Sequence, residues 1–381
     1  MPDLAANMLE PVGGFPVQAM MMRYNLFMPR LYNWCMSLGF EAGKIMPSRA
    51  FCSDESQGYP VIMIARHFGT FPFNHGLVGG IVATDRHSPH ASHGQDLVII
   101  QASHVGYDPE TKLFGTYRRL QTANQECSSS CGKIHQVLSW YENEYLFAQE
   151  NIRFQQIDGQ KFIIVDNQLL REDREEGLLL RLDKLIEKNS NGQRIPHKLL
   201  STSKVFTAVP SLVDKVGDSV FSSSTPQPIS DNLTADMFYY HRNMLQIDEA
   251  ERHLEHNLIR YMPQIMTAQH PSLLAAQINT QVEFDLTFRS IAKEDSYQNK
   301  KIMFIAGLNI DISPQAGQLY PLTKFVPWAA YFQDSNGENS TLEQQELAQI
   351  LEQQSTINMD KVDLEKAISA MAEVEEIKIE L

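Results

Sequence analysis

The stretch QDLVIIQASHVGYDPE, residues 95–110, most clearly predicts the fold. Its apolar run is filled by β-branched residues and bounded by polar ones, which is typical of a strand buried on both faces. Such strands occur in α/β proteins, where helices cover both faces of a mainly parallel sheet. His104 follows the apolar run directly, so the sequence predicts an imidazole at the carboxyl end of a buried strand.

Patterns of both secondary-structure types alternate along the rest of the chain. We predict a helix over 132–152, a hairpin turning at Asp158-Gly159, an amphipathic helix over 171–188, a half-exposed strand over 280–290 and another strand over 300–312. The helical connections are long enough for parallel pairing of strands. The predicted fold class is therefore α/β, with a mixed, mainly parallel sheet flanked by helices.

Composition divides the chain into three predicted parts. Residues 1–44 form an N-terminal helical segment, and 45–333 form the main domain, with a helical insertion at about 170–275. Residues 334–381 form a helical tail with twelve acidic residues against three lysines, which accounts for most of the net charge of −14. The tail contains an apolar stripe at helical spacing, formed by Leu347, Ile350 and Leu351. This stripe predicts an amphipathic helical appendage with a solvated face, or a binding arm for a protein partner.

The composition excludes several classes of protein. No basic cluster offers the surface that nucleic acid requires, and no apolar run is long enough to span a membrane. The first residues lack the basic and apolar regions of a secretory signal, so we expect a cytoplasmic protein. Four cysteines are too sparse for a disulfide framework, and in a reducing compartment they are free or bound to metal.

The segment ECSSSCGK, residues 126–133, raises three hypotheses for its cysteines: a disulfide, a metal site completed from elsewhere, or a nucleophile beside a spare thiol. Loops at the carboxyl ends of neighbouring strands are where open α/β sheets gather their ligands. Cys52, in AFCSDES, and His104 both follow predicted strands. Two thiolates and one imidazole would make a zinc site with a fourth position open to water. The spacing alone also allows a cysteine hydrolase with Cys52 as nucleophile and His104 as base.

The sequences Cys52-Ser53-Asp54, SHVGYDPE with the following GTYRR, and SSSCG together resemble the limiting-CO2-inducible B/C family, whose domain is similar to β-type carbonic anhydrases. The resemblance implies a β-carbonic anhydrase-like fold, a homodimer, and a Zn2+ ion bound by Cys52, His104 and Cys131. It implies CO2 and bicarbonate as substrates, with hydroxide generated at the zinc ion. Asp54 takes the position of the catalytic aspartate, and Cys131 is favoured over Cys127 because Gly132 follows it.

One position departs from the β-type pattern, which has an arginine two residues after this aspartate. Ser56 stands there in this chain. Substitute partners for Asp54 are Arg66, Arg118 and Arg119. The hypotheses that follow are a zinc carbonic anhydrase, a catalytically silent zinc-binding homologue in inorganic-carbon handling or complex assembly, and the cysteine hydrolase.

Overall fold

The computed structural model of the chain describes residues 13–76, 96–118, 127–171, 175–221, 225–244, 247, 249–315, 318 and 321–375. The strands are β1 Met22–Arg23, β2 Ile45–Ala50, β3 Phe73–Asn74, β4 Asp96–Asp108, β5 Leu113–Phe114, β6 Thr116–Arg118, β7 Cys127–Ser129, β8 Ile152–Ile157, β9 Gln160–Asp166, β10 Gly177–Leu180, β11 Lys198–Leu199, β12 Ser203–Thr207, β13 Gln227–Pro228, β14 Phe238–His241, β15 Ile302–Ile312, β16 Leu322–Gln333 and β17 Asn339–Glu343. The helices are α1 Tyr24–Ser37, α2 Gly58–Phe68, α3 Gly132–Asn151, α4 Pro210–Val216, α5 Glu249–Leu258, α6 Met262–Met266, α7 Pro271–Lys293, α8 Gln344–Gln353 and α9 Leu364–Ala372.

The chain divides into two compact units, the first made of residues 1–133 and 276–381 and the second of residues 134–275. The first unit contains a mixed sheet in the strand order β1-β16-β15-β4-β2-β3, with β17 on β16 and β5 on β4. Strands β15, β4, β2 and β3 run parallel to one another, and β16 is antiparallel to β15. The predicted mixed α/β fold with a mainly parallel centre is confirmed.

Strand β4 explains why helices cover both faces of this sheet. Side chains of a strand point alternately to opposite faces. Ile100 and Ala102 belong to the apolar core that also contains buried residues of α1 and α2. On the other face, Ser103 accepts a hydrogen bond from Asn279 of α7 at 2.8 Å, and Gln101 accepts one from Thr287 of α7 at 3.0 Å. The almost continuous burial of β4 follows from these two helical layers.

The predicted acidic tail contributes to the core of the first unit. β17 pairs with β16, and α8 follows it directly. Leu347 and Leu351 are fully buried in the same core as Phe27 and Phe325, whose rings stack at 4.0 Å. The predicted stripe of α8 therefore faces the core rather than water. Helix α9, in contrast, exposes Ile368 and Met371.

The second unit combines strands with helices. Its larger sheet has the order β11-β12-β9-β8-β13, and the predicted hairpin at Asp158-Gly159 joins β8 to β9. The predicted helix over 132–152 is confirmed as α3. The predicted helix over 171–188 is wrong, because β10 occupies part of it and pairs with β14. Gly177 has φ 128°, which is outside the helical range, so no helix continues through this residue.

The helical insertion predicted at about 170–275 is thus a mixture of short strands and the helices α4, α5 and α6. The strand predicted over 280–290 is also wrong, since these residues lie within α7. Alternation of apolar and polar residues did not mean half exposure here: Gln281 and Glu283 are as buried as Phe284. A helix buried on most sides loses the periodicity that would distinguish it from a strand.

Within the described residues, no helix is both long and apolar enough to cross a membrane.

Candidate metal centre

Cys52 and His104 are brought together by the parallel pairing of β2 with β4. The pairing ends at Ala50 and Gln101, and Cys52 lies two residues beyond the end of β2. His104 lies within β4 rather than after it, because β4 continues along β15 as far as Tyr107. The prediction of a strand-end histidine therefore needs correction: His104 is held inside a strand, at the point where the neighbouring strand on one side has ended.

Cys131 reaches β4 through a close approach of two backbone segments. The amide of Gly106 donates to the carbonyl oxygen of Ser130 at 2.9 Å. A Cβ atom at Gly106 would lie 2.6 Å from the carbonyl oxygen of Thr116 and 3.0 Å from Cβ of Ser130. Only glycine permits this approach. Helix α3 begins at Gly132, so Cys131 lies at a helix amino terminus.

The three predicted ligands form one buried cluster. The Sγ atoms of Cys52 and Cys131 are 3.9 Å apart, and these atoms and a ring nitrogen of His104 all lie within 4.8 Å of one another. Cys52, Cys131 and His104 are 3%, 2% and 0% exposed, respectively. A disulfide requires sulfur atoms at about 2.05 Å, so no disulfide joins the two cysteines. Two thiolates on a tetrahedral zinc ion would be separated by about 3.8 Å, which the observed distance matches.

The orientation of His104 selects the atom that would bind the metal. Its Nδ1 atom lies 2.8 Å from Oδ2 of Asp311, a fully buried carboxylate on β15. Its Nε2 atom is buried and has no hydrogen-bond partner among the described residues. A histidine that donates Nδ1–H to a carboxylate presents the lone pair of Nε2, as metal-ligating histidines commonly do. The donor set and its geometry therefore fit a zinc ion.

Asp311 is the functional residue that sequence reasoning missed. Besides His104, it accepts hydrogen bonds from Ser56 Oγ at 2.8 Å, Gln57 Nε2 at 2.9 Å and Thr323 Oγ1 at 2.9 Å. The available signal was an aspartate inside the apolar strand that the sequence predicted over 300–312. A buried carboxylate is costly unless it is fully hydrogen-bonded, so its presence in such a strand indicates a specific partner.

Asp54 lies beside the cluster without belonging to it. Its Oδ1 accepts a hydrogen bond from the backbone amide of Ser56 at 3.3 Å, at the start of a 3₁₀ turn over Glu55–Gln57. Burial and, after it, a hydrogen bond with Glu55 raise the pKa of Asp54 to about 6, against the opposing charge of His104. Asp54 is thus a carboxyl group near the cluster, and its pKa lies closer to neutral pH than that of an ordinary aspartate.

Two of the three candidate arginine partners of Asp54 lie within the described residues. Ser56 occupies the expected arginine position, and its hydroxyl is directed to Asp311. Arg118 pairs with Glu110 at 2.5 Å, and Arg66 lines a cavity of about 780 Å³ beside α2. Arg119 lies outside the described residues.

Cys127 lies apart from the described cluster. It is exposed and pairs with Arg118 across the β6–β7 ladder. Cys131, in contrast, has its pKa raised to about 12, first by a hydrogen bond with Cys52 and then by burial, against the lowering effect of His104. A thiol held protonated so strongly is a poor nucleophile, and a metal cation that binds here displaces its proton. The prediction that Cys131 rather than Cys127 joins the cluster agrees with this geometry.

Comparison with known proteins finds a family match for part of the chain. The sequence model described as limiting CO2-inducible proteins B/C beta carbonic anhydrases matches residues 21–193. No curated protein matches the chain. The crystal structure of PtLCIB4, a homolog of the limiting CO2-inducible protein LCIB, aligns with a TM-score of 0.49 at 11% identity and covers 86% of this chain and 95% of its own.

Two other solved structures are similar. A point mutant of PtLCIB4 has a TM-score of 0.48 at 11% identity and covers 85% of this chain and 94% of its own. LCIB has a TM-score of 0.43 at 14% identity and covers 86% and 95%, respectively. The match over residues 21–193 thus relates that part of the chain to the limiting CO2-inducible B/C family of β-carbonic anhydrase-like proteins.

Proposed function

We propose that this protein is a zinc-dependent carbonic anhydrase that interconverts CO2 and bicarbonate. The observation that carries the proposal is the buried set of Cys52, His104 and Cys131. The two sulfur atoms lie 3.9 Å apart, and Nε2 of His104 has no hydrogen-bond partner among the described residues. Two thiolates and one imidazole suit zinc, and three protein ligands leave a coordination position for a small substrate.

Each residue of the site has a specific task. Sγ of Cys52, Sγ of Cys131 and Nε2 of His104 would hold the metal, and their charges would nearly neutralise a divalent cation. A bound zinc ion supplies Lewis acidity that lowers the pKa of a water molecule toward neutrality. Asp54 would accept a hydrogen bond from the remaining proton of that water and so orient its oxygen toward CO2. The pKa of Asp54, raised to about 6 by burial, leaves its carboxylate available above that pH.

The proposal includes the setting of the enzyme. We expect a cytoplasmic homodimer, since β-type sites lie near subunit interfaces in the family that this chain resembles. We also expect a protein partner for the acidic C-terminal region, where Ile368 and Met371 of α9 are exposed, as is Val374 just beyond the helix.

A second candidate is a catalytically silent zinc protein of the same family, acting in inorganic-carbon handling or complex assembly. The observation that favours it is the hydrogen bond from Ser56 to Asp311. In the β-type pattern the residue at this position pairs with the catalytic aspartate. Here its side chain is committed to another carboxylate, and what Ser56 offers Asp54 is its backbone amide.

Stopped-flow CO2 hydration, measured on zinc-loaded protein and on protein stripped by a chelator, tests the proposal. We expect hydration by the loaded protein, its loss on stripping and its return when zinc is restored. Zinc binding at about one ion per chain without hydration would select the silent homologue. Failure of the wild-type protein to bind zinc would refute both candidates. Cys127→Ser is the matched control, since this cysteine lies outside the cluster.

A further inference from the structure

We propose that Asp311 is the positioning residue of this metal centre: it fixes the ring orientation and the tautomer of His104, and Ser56 serves Asp311 rather than Asp54. The inference rests on the proposed function, because it assigns a role to residues around the same site. It concerns metal binding and not the catalytic step.

The surroundings of Asp311 are arranged to hold an ionised carboxylate. The side chain is fully buried, and its two oxygens accept from four side chains. Oδ2 receives hydrogen bonds from His104, Ser56 and Gln57, at 2.8, 2.8 and 2.9 Å. Oδ1 receives bonds from Thr323 at 2.9 Å and from Gln57 at 3.1 Å. Removing a carboxylate from water is costly, and these donors offset that cost.

The direction of the Gln57 donor is fixed by a second layer of contacts. The Tyr24 hydroxyl donates to Asn309 Oδ1 at 2.7 Å, and Asn309 Nδ2 donates to Gln57 Oε1 at 2.7 Å. The Gln57 amide therefore has its oxygen occupied, and only its nitrogen is left for Asp311. This chain of buried groups extends from α1 to the metal cluster, so the carboxylate cannot rotate without breaking several hydrogen bonds.

The fixed carboxylate determines which ring nitrogen of His104 carries the hydrogen and which carries the lone pair. Nδ1 lies 2.8 Å from an acceptor that has no proton to give, so Nδ1 carries the hydrogen. Nε2 then carries the lone pair, and it is the ring nitrogen without a hydrogen-bond partner among the described residues. A carboxylate behind a histidine also raises the basicity of the nitrogen that binds the metal.

The same geometry assigns a function to Ser56. Its side chain is fully buried and donates to Asp311. Replacing it by arginine, as the β-type pattern would suggest for pairing with Asp54, inserts a long cation where a hydroxyl fits. The cation would meet Asp311 first and withdraw the carboxylate from His104. The expected result of Ser56→Arg is weaker metal binding, not a restored aspartate–arginine pair.

The test measures zinc affinity by competition with a fluorescent chelator, for wild type and for Asp311→Asn. We expect the variant to bind Zn2+ about 10- to 100-fold more weakly, because second-layer partners of metal ligands typically contribute this much. Asp108→Asn is the control: Asp108 is a buried aspartate on β4 that accepts from Thr111 and not from a ligand. An equal affinity for wild type and Asp311→Asn, or an equal loss in both variants, would overturn the proposal.

Two further measurements do not depend on the folding of Asp311→Asn. Ser56→Arg should bind Zn2+ more weakly than wild type, and unchanged or tighter binding would count against the role assigned to Ser56. In 15N-labelled wild-type protein, the histidine whose signals change on zinc addition should have Nδ1 protonated and Nε2 bound. The reverse pattern would overturn the proposal. Wild type that binds no zinc at all would instead refute the proposed function, so the two failures are distinct.

Discussion

The sulfur atoms of Cys52 and Cys131 lie 3.9 Å apart, although 79 positions separate the two residues in the sequence. The separation is too long for a disulfide and fits two thiolates on one zinc ion. It also distinguishes Cys131 from Cys127, which lies four residues earlier and is exposed.

A matched pair of cysteine substitutions tests this assignment. Cys131→Ser should lose the metal, because a hydroxyl is a poor zinc ligand, whereas Cys127→Ser should keep about one zinc ion per chain. Plasma mass spectrometry of protein purified without added metal measures the content. Equal metal content in the two variants would contradict the cluster.

Asp54 and its neighbour Glu55 provide a second comparison. Asp54→Asn should retain zinc and lose about 10²- to 10⁴-fold in the rate of CO2 hydration, because the group that orients the reacting proton is removed. Glu55 accepts a hydrogen bond from Tyr117 at 3.1 Å and shares one with Asp54, so Glu55→Gln should lower the pKa of Asp54 but leave the rate well above that pKa close to wild type. Stopped-flow kinetics with parallel metal analysis measures both. A fully active Asp54→Asn would show that this carboxylate takes no part in the reaction.

The two C-terminal helices should differ in how much one apolar side chain contributes to stability. Leu351 of α8 is fully buried, so Leu351→Ala should lower the free energy of unfolding by about 2–5 kcal/mol. Ile368 of α9 is 66% exposed, and Ile368→Ala should change it by less than about 0.5 kcal/mol. Urea denaturation measures both. Similar stabilities of the two variants would mean that α8 is not part of the core.

Asp285 predicts a specific pH dependence of stability. Burial raises its pKa to about 6 against the opposing charge of Arg289, and its Oδ1 atom has no hydrogen-bond partner among the described residues. The folded state therefore holds a proton that the unfolded state has released, and stability falls as the pH rises from about 4 to about 6. Asp285→Asn should remove this loss of stability, because asparagine does not ionise. After allowance for solvent screening, it should stabilise the protein by about 1 kcal/mol at pH values above 6.

The measurement is urea unfolding of wild type and Asp285→Asn at pH values of about 4.5 and about 7.5, on either side of the raised pKa. The difference between the two proteins should be small at the lower pH and reach its full value at the higher one. Asp183→Asn, at an exposed position, should show no such trend. A difference that stays constant across this range would contradict the raised pKa.

Much of the fold could be predicted because some elements carry their own signals. The buried run of β4, the apolar run of β15 and the Asp158-Gly159 hairpin depend on residues close together in the chain. The prediction for 280–290 failed because Gln281 and Glu283 are buried beside Phe284. Burial on several sides of α7 removed the exposed face from which a helical period is read.

The candidate site, like the fold, could be predicted from the sequence only in part. The sequence by itself determined the candidate ligands and their order: Cys52 and His104 follow strand signals, and the family resemblance adds Cys131 of SSSCG. Only the tertiary structure decided which nitrogen of His104 is available, since Asp311 lies 207 positions away. Parallel register between β4 and β15 places these residues together, and register depends on the packing of whole strands rather than on local sequence. The sequence thus determined the donors, and the sheet determined their orientation.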